Sequence, residues 1–219
     1  MSTENSPLQQ LHDIRNMMER SSRFISLSGL SGVFAGIFAL AGAAAFYAYV
    51  NQNYSYGYQS LVNEVPFNIN WSFYQFCFID AAIVLTGSLA AGIFFTTRRA
   101  KADGRPIWDR TALLLLTHLF IPLAAGGIFC LIMMWHGWFG LVAPALLLFY
   151  GMALLNASKF TLPEIQWLGI SEIALGLLAF CFLGYGLTFW SIGFGILHII
   201  YGLVMYVRYE AKPKEKRFW

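Results

Sequence analysis

The sequence predicts an all-α integral membrane protein, a bundle of six transmembrane helices. Of its 219 residues, 58% are hydrophobic and only 11% are charged, whereas a soluble domain is about 45–50% apolar and about 25% charged. The mean hydropathy is +0.59. A span needs about 20 apolar residues, so six spans use about 126 residues and leave room for short loops alone. The composition excludes a soluble globular domain and a disordered chain.

Six apolar runs supply the predicted helices, and each run is bounded by charged residues or by glycine-containing turns. The third and fourth are separated only by Trp135-His136-Gly137, and the fifth and sixth by Gly184-Tyr185-Gly186. Such short connections join antiparallel neighbours. In chain order, the predicted helices cover residues 24–50, 72–97, 111–135, 137–157, 164–185 and 188–209.

The basic residues predict the orientation of these helices. All 14 lysines and arginines lie before the first span, after the sixth, or in the second and fourth loops. Cytoplasmic loops carry the excess of Lys and Arg in membrane proteins. The sequence therefore predicts a multi-pass protein of the cell membrane with both termini in the cytoplasm. Five or seven spans would place basic residues on both sides.

Two polar segments flank the six-span domain of residues 24–209. Residues 1–23 are predicted to contain a cytoplasmic amphipathic helix, capped by Ser6 and with Pro7 at its first position. This helix docks on the bundle, lies on the membrane surface or binds a partner, and these alternatives stay open. Residues 210–219 form a basic cytoplasmic tail. Within the domain, Thr161 and Glu164 match a capping box at the start of the fifth helix.

Small residues in the first span predict close helix packing. Ser28, Gly32 and Gly36 follow one another at intervals of four residues. This spacing places them on one helix face, where small side chains let two backbones approach. The sequence predicts a seam with another helix of the same chain, and a homo-oligomer interface is the alternative.

The chain contains a weak internal repeat. When the sequence is shifted by 51 residues, the third and fourth spans align with the fifth and sixth, which suggests three helical hairpins derived from one. Parallel repeats of this kind occur in transporters and in other membrane proteins. The matched pairs are Phe129-Cys130 with Phe180-Cys181, and Tyr150-Gly151 with Tyr201-Gly202.

The last two hairpins are rich in glycine, and the fifth and sixth spans carry the pattern Gly169, Gly176, Gly193-Phe194-Gly195 and Tyr201-Gly202. In this pattern and in its layout the chain resembles the HdeD-type family of small six-helix bacterial membrane proteins. The resemblance implies a six-helix inner-membrane protein. It supplies no catalytic motif that matches this sequence, so no functional residue is assigned from it.

Four ionisable residues lie inside the predicted spans, where such groups are costly and are candidates for function. His118, Glu172 and His198 come from three different helices. A rise of 1.5 Å per residue places them about 10–15 Å from the cytoplasmic ends of their helices, in one layer. Asp80 enters from the outer side and lies across the midplane from that layer.

The predicted layer of His118, Glu172 and His198 suits two kinds of chemistry. One carboxylate and two imidazoles can hold a shared proton or an ion, or the side chains make structural hydrogen bonds between helices. Two histidines and a carboxylate are also a zinc ligand set. Each of them is alone on its helix, however, without the paired spacing of helix-bundle metal sites. The sequence therefore predicts no metal, no other cofactor and no catalytic residue.

Pro122 adds a backbone feature to this layer. A proline inside a helix cannot donate to the carbonyl four residues earlier, which here belongs to His118. We expect a kink that leaves this acceptor open beside the imidazole. Irregular backbone at a polar layer is a way in which membrane proteins build ion and substrate sites.

These patterns favour a non-enzymatic integral membrane protein with an accessory, sensing or stress-response role. The alternative is a small proton-linked transporter or channel that uses the polar layer, with Asp80 as the external entry group. A metal-dependent intramembrane hydrolase is a distant third. The expected partner is the lipid bilayer, together with a protein partner or a second copy. Nucleic acid is not expected, because topology already accounts for the basic residues.

Overall fold

The computed structural model describes residues 24, 26–54, 57–59, 71–104, 106 and 108–211, and the regular elements in this part of the chain are all helical. The predicted N-terminal amphipathic helix lies outside the described residues, as does the basic tail beyond residue 211. The α-helices are α1 (Gly29–Asn53), α2 (Trp71–Ala102), α3 (Arg110–Trp135), α4 (Val142–Ala157), α5 (Pro163–Cys181), α6 (Gly186–Trp190) and α7 (His198–Tyr209).

Six helical segments of the described chain are long and apolar enough to cross a membrane, which confirms the predicted number of spans. Four of them are α1, α2, α3 and α5. The fourth span, Phe139–Phe160, consists of α4 with a 3₁₀ turn at each end. The sixth span, Leu183–Tyr209, contains a 3₁₀ turn, α6, a π-helical segment (Ser191–Leu197) and α7.

Several predicted boundaries differ from the structure, and three of them do so for a clear local reason. The first helix begins at Gly29 instead of residue 24, because the backbone at Ser28 is extended. The second helix continues through its basic residues to Ala102, since Arg and Lys at the last turn suit the helix dipole. The fifth helix ends at Cys181, where the backbone leaves the helical region at Phe182.

The described helices pack side by side in a row. The first helix, α1, packs against α2 on one side and against the sixth span on the other, while α4 packs against α3 and α5. The fifth helix also contacts the sixth span. Helices α2 and α3 are therefore peripheral, and most of their large apolar side chains are exposed. Such an apolar outer surface is typical of helices that face lipid.

The small residues of α1 face the sixth span of the same chain. A Cβ atom added at Gly32 would lie 3.3 Å from the Cα of Gly202, and one added at Gly36 would lie 2.6 Å from the carbonyl oxygen of Gly195. Only glycine permits this approach of the two backbones. The seam joins the first and last spans of the same chain.

Ser28 lies just before α1, and its side chain serves a polar junction at the end of the bundle. The carboxylate of Glu210 accepts from the Ser28 hydroxyl at 3.1 Å and from the amide of Gly29 at 2.6 Å. Arg99 of α2 pairs with the same carboxylate at 3.3 Å and donates to the carbonyl of Leu27. The start of α1, the end of α7 and the end of α2 are thereby connected.

The predicted capping box at the start of α5 is wrong. The N-cap of this helix is Leu162, and no side chain caps it. The hydroxyl of Thr161 instead donates to the carbonyl of Phe24 at 2.8 Å. The carboxylate of Glu164 accepts from Arg208 at 2.8 Å and from the Tyr209 hydroxyl at 3.0 Å. Tertiary partners compete successfully for both side chains because the chain before α1 and the end of α7 lie beside them.

Candidate functional site

Glu172 is the most unusual side chain of the described structure. It is the central residue of α5, with nine residues of the helix on either side. Its exposed fraction is 0%, and neither carboxyl oxygen has a hydrogen-bond partner in the described part of the chain. Most buried polar atoms in proteins have a partner, so an exception requires an explanation.

His198 is the nearest polar neighbour of this carboxyl group. Its Nδ1 atom lies 3.5 Å from Oε1 of Glu172 and 3.0 Å from the carbonyl oxygen of Gly193. Its Nε2 atom lies 2.7 Å from the hydroxyl of Tyr150. A carbonyl can only accept, so in the neutral imidazole Nδ1 carries the hydrogen and Nε2 accepts from the tyrosine. Both nitrogens of His198 are thus satisfied without Glu172.

The backbone next to Glu172 is a π-helical segment, Ser191–Leu197. Such segments occur as short irregularities within α-helices, frequently at functional sites. A Cβ atom at Gly193 would collide with Oε2 of Glu172 and would lie 2.5 Å from the side chain of Leu147. The glycine therefore leaves the space that the carboxyl group occupies, and its carbonyl holds the imidazole of His198.

The side chains of Glu172, Tyr150 and His198 lie near the middle of their spans. Glu172 is at the centre of α5, Tyr150 is within one residue of the centre of the fourth span, and His198 is two residues past the centre of the sixth. The sequence placed Glu172 and His198 in the inner half, because it ended the fifth helix later and began the sixth later. Apolar clusters lie toward both ends of the bundle, one around Phe73 and the other around Leu168.

His118 lies apart from this group. Its ring is 4.8 Å from the ring of Phe160, at the end of the fourth span. In the described residues no hydrogen bond or ion pair connects it with Glu172 or His198. The reason is that α3, which carries His118, packs mainly against α4. The imidazole of His198 is instead contacted by Tyr150 of α4.

Asp80 also lies apart from Glu172. It is half-buried on α2, the tenth residue from the start of that helix. A Cβ atom at Gly42 of α1 would lie 3.5 Å from both of its carboxyl oxygens, so this glycine leaves room for the side chain. Among the described residues, no hydrogen bond or ion pair links Asp80 to the Glu172 group.

The acceptor that Pro122 frees is occupied. Helix α3 continues without a break from Arg110 to Trp135 with Pro122 inside it. The side-chain amide of Asn156 donates to the carbonyl oxygen of His118 at 3.1 Å. The expectation of an open backbone acceptor is therefore wrong, because α4 supplies a donor at this point. Membrane helices tolerate proline when a neighbouring side chain satisfies the freed carbonyl.

This bond gives a specific stability prediction. Asn156→Ala is expected to lower the free energy of unfolding by about 1 kcal/mol, because it leaves the His118 carbonyl without a donor. In a Pro122→Ala background the same change should cost much less, because residue 122 then has an N–H that reaches this carbonyl. Unfolding of the four variants in detergent micelles gives the coupling energy. Equal costs in both backgrounds would contradict the assigned bond.

Metal binding finds no support in the described side chains. No three of their His, Cys, Asp and Glu residues converge to hold a metal ion. Glu172 and His198 supply two such groups. Tyr150 adds a hydroxyl group, but this hydroxyl already donates to His198. The arrangement is suited to holding a proton.

Comparisons with known proteins found no match, so any functional argument for this chain rests on its geometry. No family model matches this chain, and neither a curated protein nor a solved structure matches it significantly. The resemblance to the HdeD-type family stays a prediction.

Proposed function

We propose that this protein is a non-enzymatic integral membrane protein with a sensing role, in which Glu172 binds and releases a proton. The observation that carries the proposal is the burial of this carboxyl group, 3.5 Å from His198 and without a hydrogen-bond partner among the described residues. Ionisable groups at mid-membrane depth are rare, and they commonly mark proton or ion sites.

The geometry provides two arrangements of hydrogen bonds that differ by one proton. With a neutral Glu172, the Nδ1–H of His198 donates to Gly193, and the carboxyl group is uncharged. An ionised Glu172 needs a hydrogen-bond donor, and the same Nδ1–H lies 3.5 Å from its Oε1 atom. If this hydrogen bond switched from Gly193 to Glu172, the carbonyl group of the π-helical segment would lose its side-chain donor. Loss of a proton thus changes the local backbone contacts.

The sixth span offers a route from this site to the end of the bundle. His198 is the first residue of α7, whose last turn carries Arg208 and Tyr209. Both of these bind Glu164 of α5, and the following Glu210 binds the start of α1. In this proposal a shift at His198 reaches the basic end of the bundle, which the positive-inside rule places in the cytoplasm. The surrounding lipid bilayer is the expected environment.

A proton-linked transporter or channel is the second candidate. The observation in its favour is the π-helical segment at the level of the polar group, because transporters place irregular helices at their binding sites near the midplane. In this version Tyr150 takes the place that was predicted for His118, since its hydroxyl contacts His198. Asp80 has no described link to the group and is not part of it.

The test follows the protonated carboxyl of Glu172 and proton movement separately. Infrared difference spectra of the protein in liposomes, recorded during a pH titration, should show a carboxylic-acid carbonyl band that Glu172→Gln removes. Glu164→Gln is the matched control, because Glu164 is also buried but accepts from Arg208 and Tyr209. Proton flux is then measured in proteoliposomes under an imposed pH gradient and membrane potential.

Each outcome decides between the candidates. A titrating band at Glu172 without flux supports the sensor. A titrating band with flux that Glu172→Gln abolishes supports the transporter or channel instead. If Glu172→Gln leaves both the spectra and the flux of the folded protein unchanged, the carboxyl group does not titrate and both candidates fail.

A further inference from the structure

A pocket of about 330 Å³ opens at the basic end of the bundle, far along the helices from Glu172. It lies between the start of α1, the end of α2 and the end of α7. Its volume falls at the lower end of the range of roughly 300–1,000 Å³ that small-ligand sites have. The lining residues fall into an apolar group, Leu30, Phe95 and Tyr206 among them, and a charged group of Arg98, Arg99, Asp103 and Glu210.

The two arginines of the pocket differ in their contacts within the described part of the chain. Arg99 pairs with Glu210 at 3.3 Å and with Asp103 at 3.9 Å, and it donates to the carbonyl of Leu27. Glu210 in turn accepts from Ser28. Arg98 is exposed, and within the described ranges it makes no hydrogen bond or ion pair. The guanidinium fork of arginine suits the oxygens of a phosphate group.

The apolar wall continues from the pocket onto the outer surface of the bundle. The ring of Phe95 stacks on that of Phe34 at a centroid distance of 4.9 Å. Phe34 itself is exposed on the outer surface of α1. A ligand with an apolar chain can therefore place its polar group at Arg98 and lay its chain along this surface. A soluble phosphate compound would leave the aromatic wall uncovered.

We propose that this pocket binds the phosphate group of a bilayer phospholipid, with Arg98 as the phosphate ligand and with the acyl chains along Phe95 and Phe34. Arg99 holds the charged floor of the pocket in place through its own ion pairs. The proposal is independent of the proton site, and its failure would leave the argument for Glu172 unchanged.

Native mass spectrometry of the detergent-purified full chain, titrated with phosphatidylglycerol, tests the binding. Wild type should retain one phosphatidylglycerol, and Arg98→Gln should weaken this binding about tenfold. Arg98→Lys, which keeps the charge but loses the fork, should fall between them. Arg110→Gln is the matched control, because Arg110 is exposed at the same end of the bundle but does not line the pocket. It should bind like wild type.

Two further titrants separate the headgroup from the acyl chains. Diacylglycerol with the same chains lacks the phosphate and should bind more weakly than phosphatidylglycerol. Glycerol phosphate lacks the chains and should not displace the bound lipid. Leu30→Trp, which fills the pocket without a change of charge, should also lose the retained lipid.

Several results would overturn the proposal. Equal affinities of Arg98→Gln and Arg110→Gln would show that Arg98 does not bind the lipid. Equal binding of diacylglycerol would reduce the site to apolar contact, and displacement by glycerol phosphate would make it a site for soluble anions. Wild-type retention in Leu30→Trp would place the lipid elsewhere.

Discussion

Gly202→Ala is expected to destabilise the protein by about 1–3 kcal/mol, the usual cost of overpacking a close contact. A Cβ atom at this position would lie 2.6 Å from the amide nitrogen of Val33 and 2.7 Å from the carbonyl oxygen of Gly29. These are backbone atoms, which cannot rotate away as a side chain can. The first and last spans would have to separate, although alanine itself favours a helix by roughly 0.8–1 kcal/mol over glycine.

Gly127→Ala is the matched control for this prediction. Gly127 lies in the interior of α3, and a Cβ atom there would have no neighbour within 4 Å. The same substitution should therefore leave stability unchanged or raise it slightly. Thermal unfolding of both variants in detergent micelles, followed by circular dichroism, gives the comparison. Equal behaviour would mean that α1 and α7 are not in contact through their backbones.

Replacement of the buried residues Glu172 and Glu164 by methionine should change the free energy of unfolding in opposite directions. Glu172→Met is expected to raise the free energy of unfolding by about 1–3 kcal/mol, because an unpartnered polar group is replaced by an apolar chain of similar length. His198 keeps its bonds to Gly193 and Tyr150 in this variant. Glu164→Met should lower stability by about 1 kcal/mol, because it removes the acceptor of the Tyr209 hydroxyl and of the largely exposed Arg208.

Chemical denaturation of the two variants and wild type, under one set of conditions, measures this difference. A gain of stability together with the loss of the titrating infrared band would identify Glu172 as a group kept at a cost in stability, which is common at functional sites. If Glu172→Met destabilises the protein as much as Glu164→Met does, the carboxyl group supports the fold. The proposed sensing role would then lose the observation on which it rests.

The six long apolar helices could be predicted from the sequence because their signals are local. Each span is a run of apolar residues, and its ends follow from charges and turns. The start of α1 was misplaced because the stretch before Gly29 is apolar but has an extended backbone at Ser28. The roles of Thr161 and Glu164 were misassigned because their partners lie far away in sequence, at Phe24 and at the end of α7.

The candidate site could be predicted only in part, since it depends on which helices are neighbours. Glu172 and His198 stand out as ionisable residues in apolar runs, and the structure brings them together. His118 stands out equally, but α3 does not reach them. Tyr150 was visible only as part of a repeated Tyr-Gly pair, and Asn156 gave no signal beyond its position near a helix end. Neither of these two side chains titrates near neutral pH, whereas Glu172, His198 and His118 stand out in the sequence because they are ionisable.

The π-helical segment Ser191–Leu197 gives the sixth span room for a change in residue number. A π-turn takes in one residue more than an α-turn, since its hydrogen bonds run from i to i+5. Deletion of one residue here would let the segment close into regular α-helix, while α7 keeps its orientation. The same deletion within a regular α-helix would turn everything downstream by about 100° around the helix axis. In the evolution of this chain, we therefore expect a gap of one residue to be tolerated better within this segment than early in α7, where it would move Gly202 away from α1.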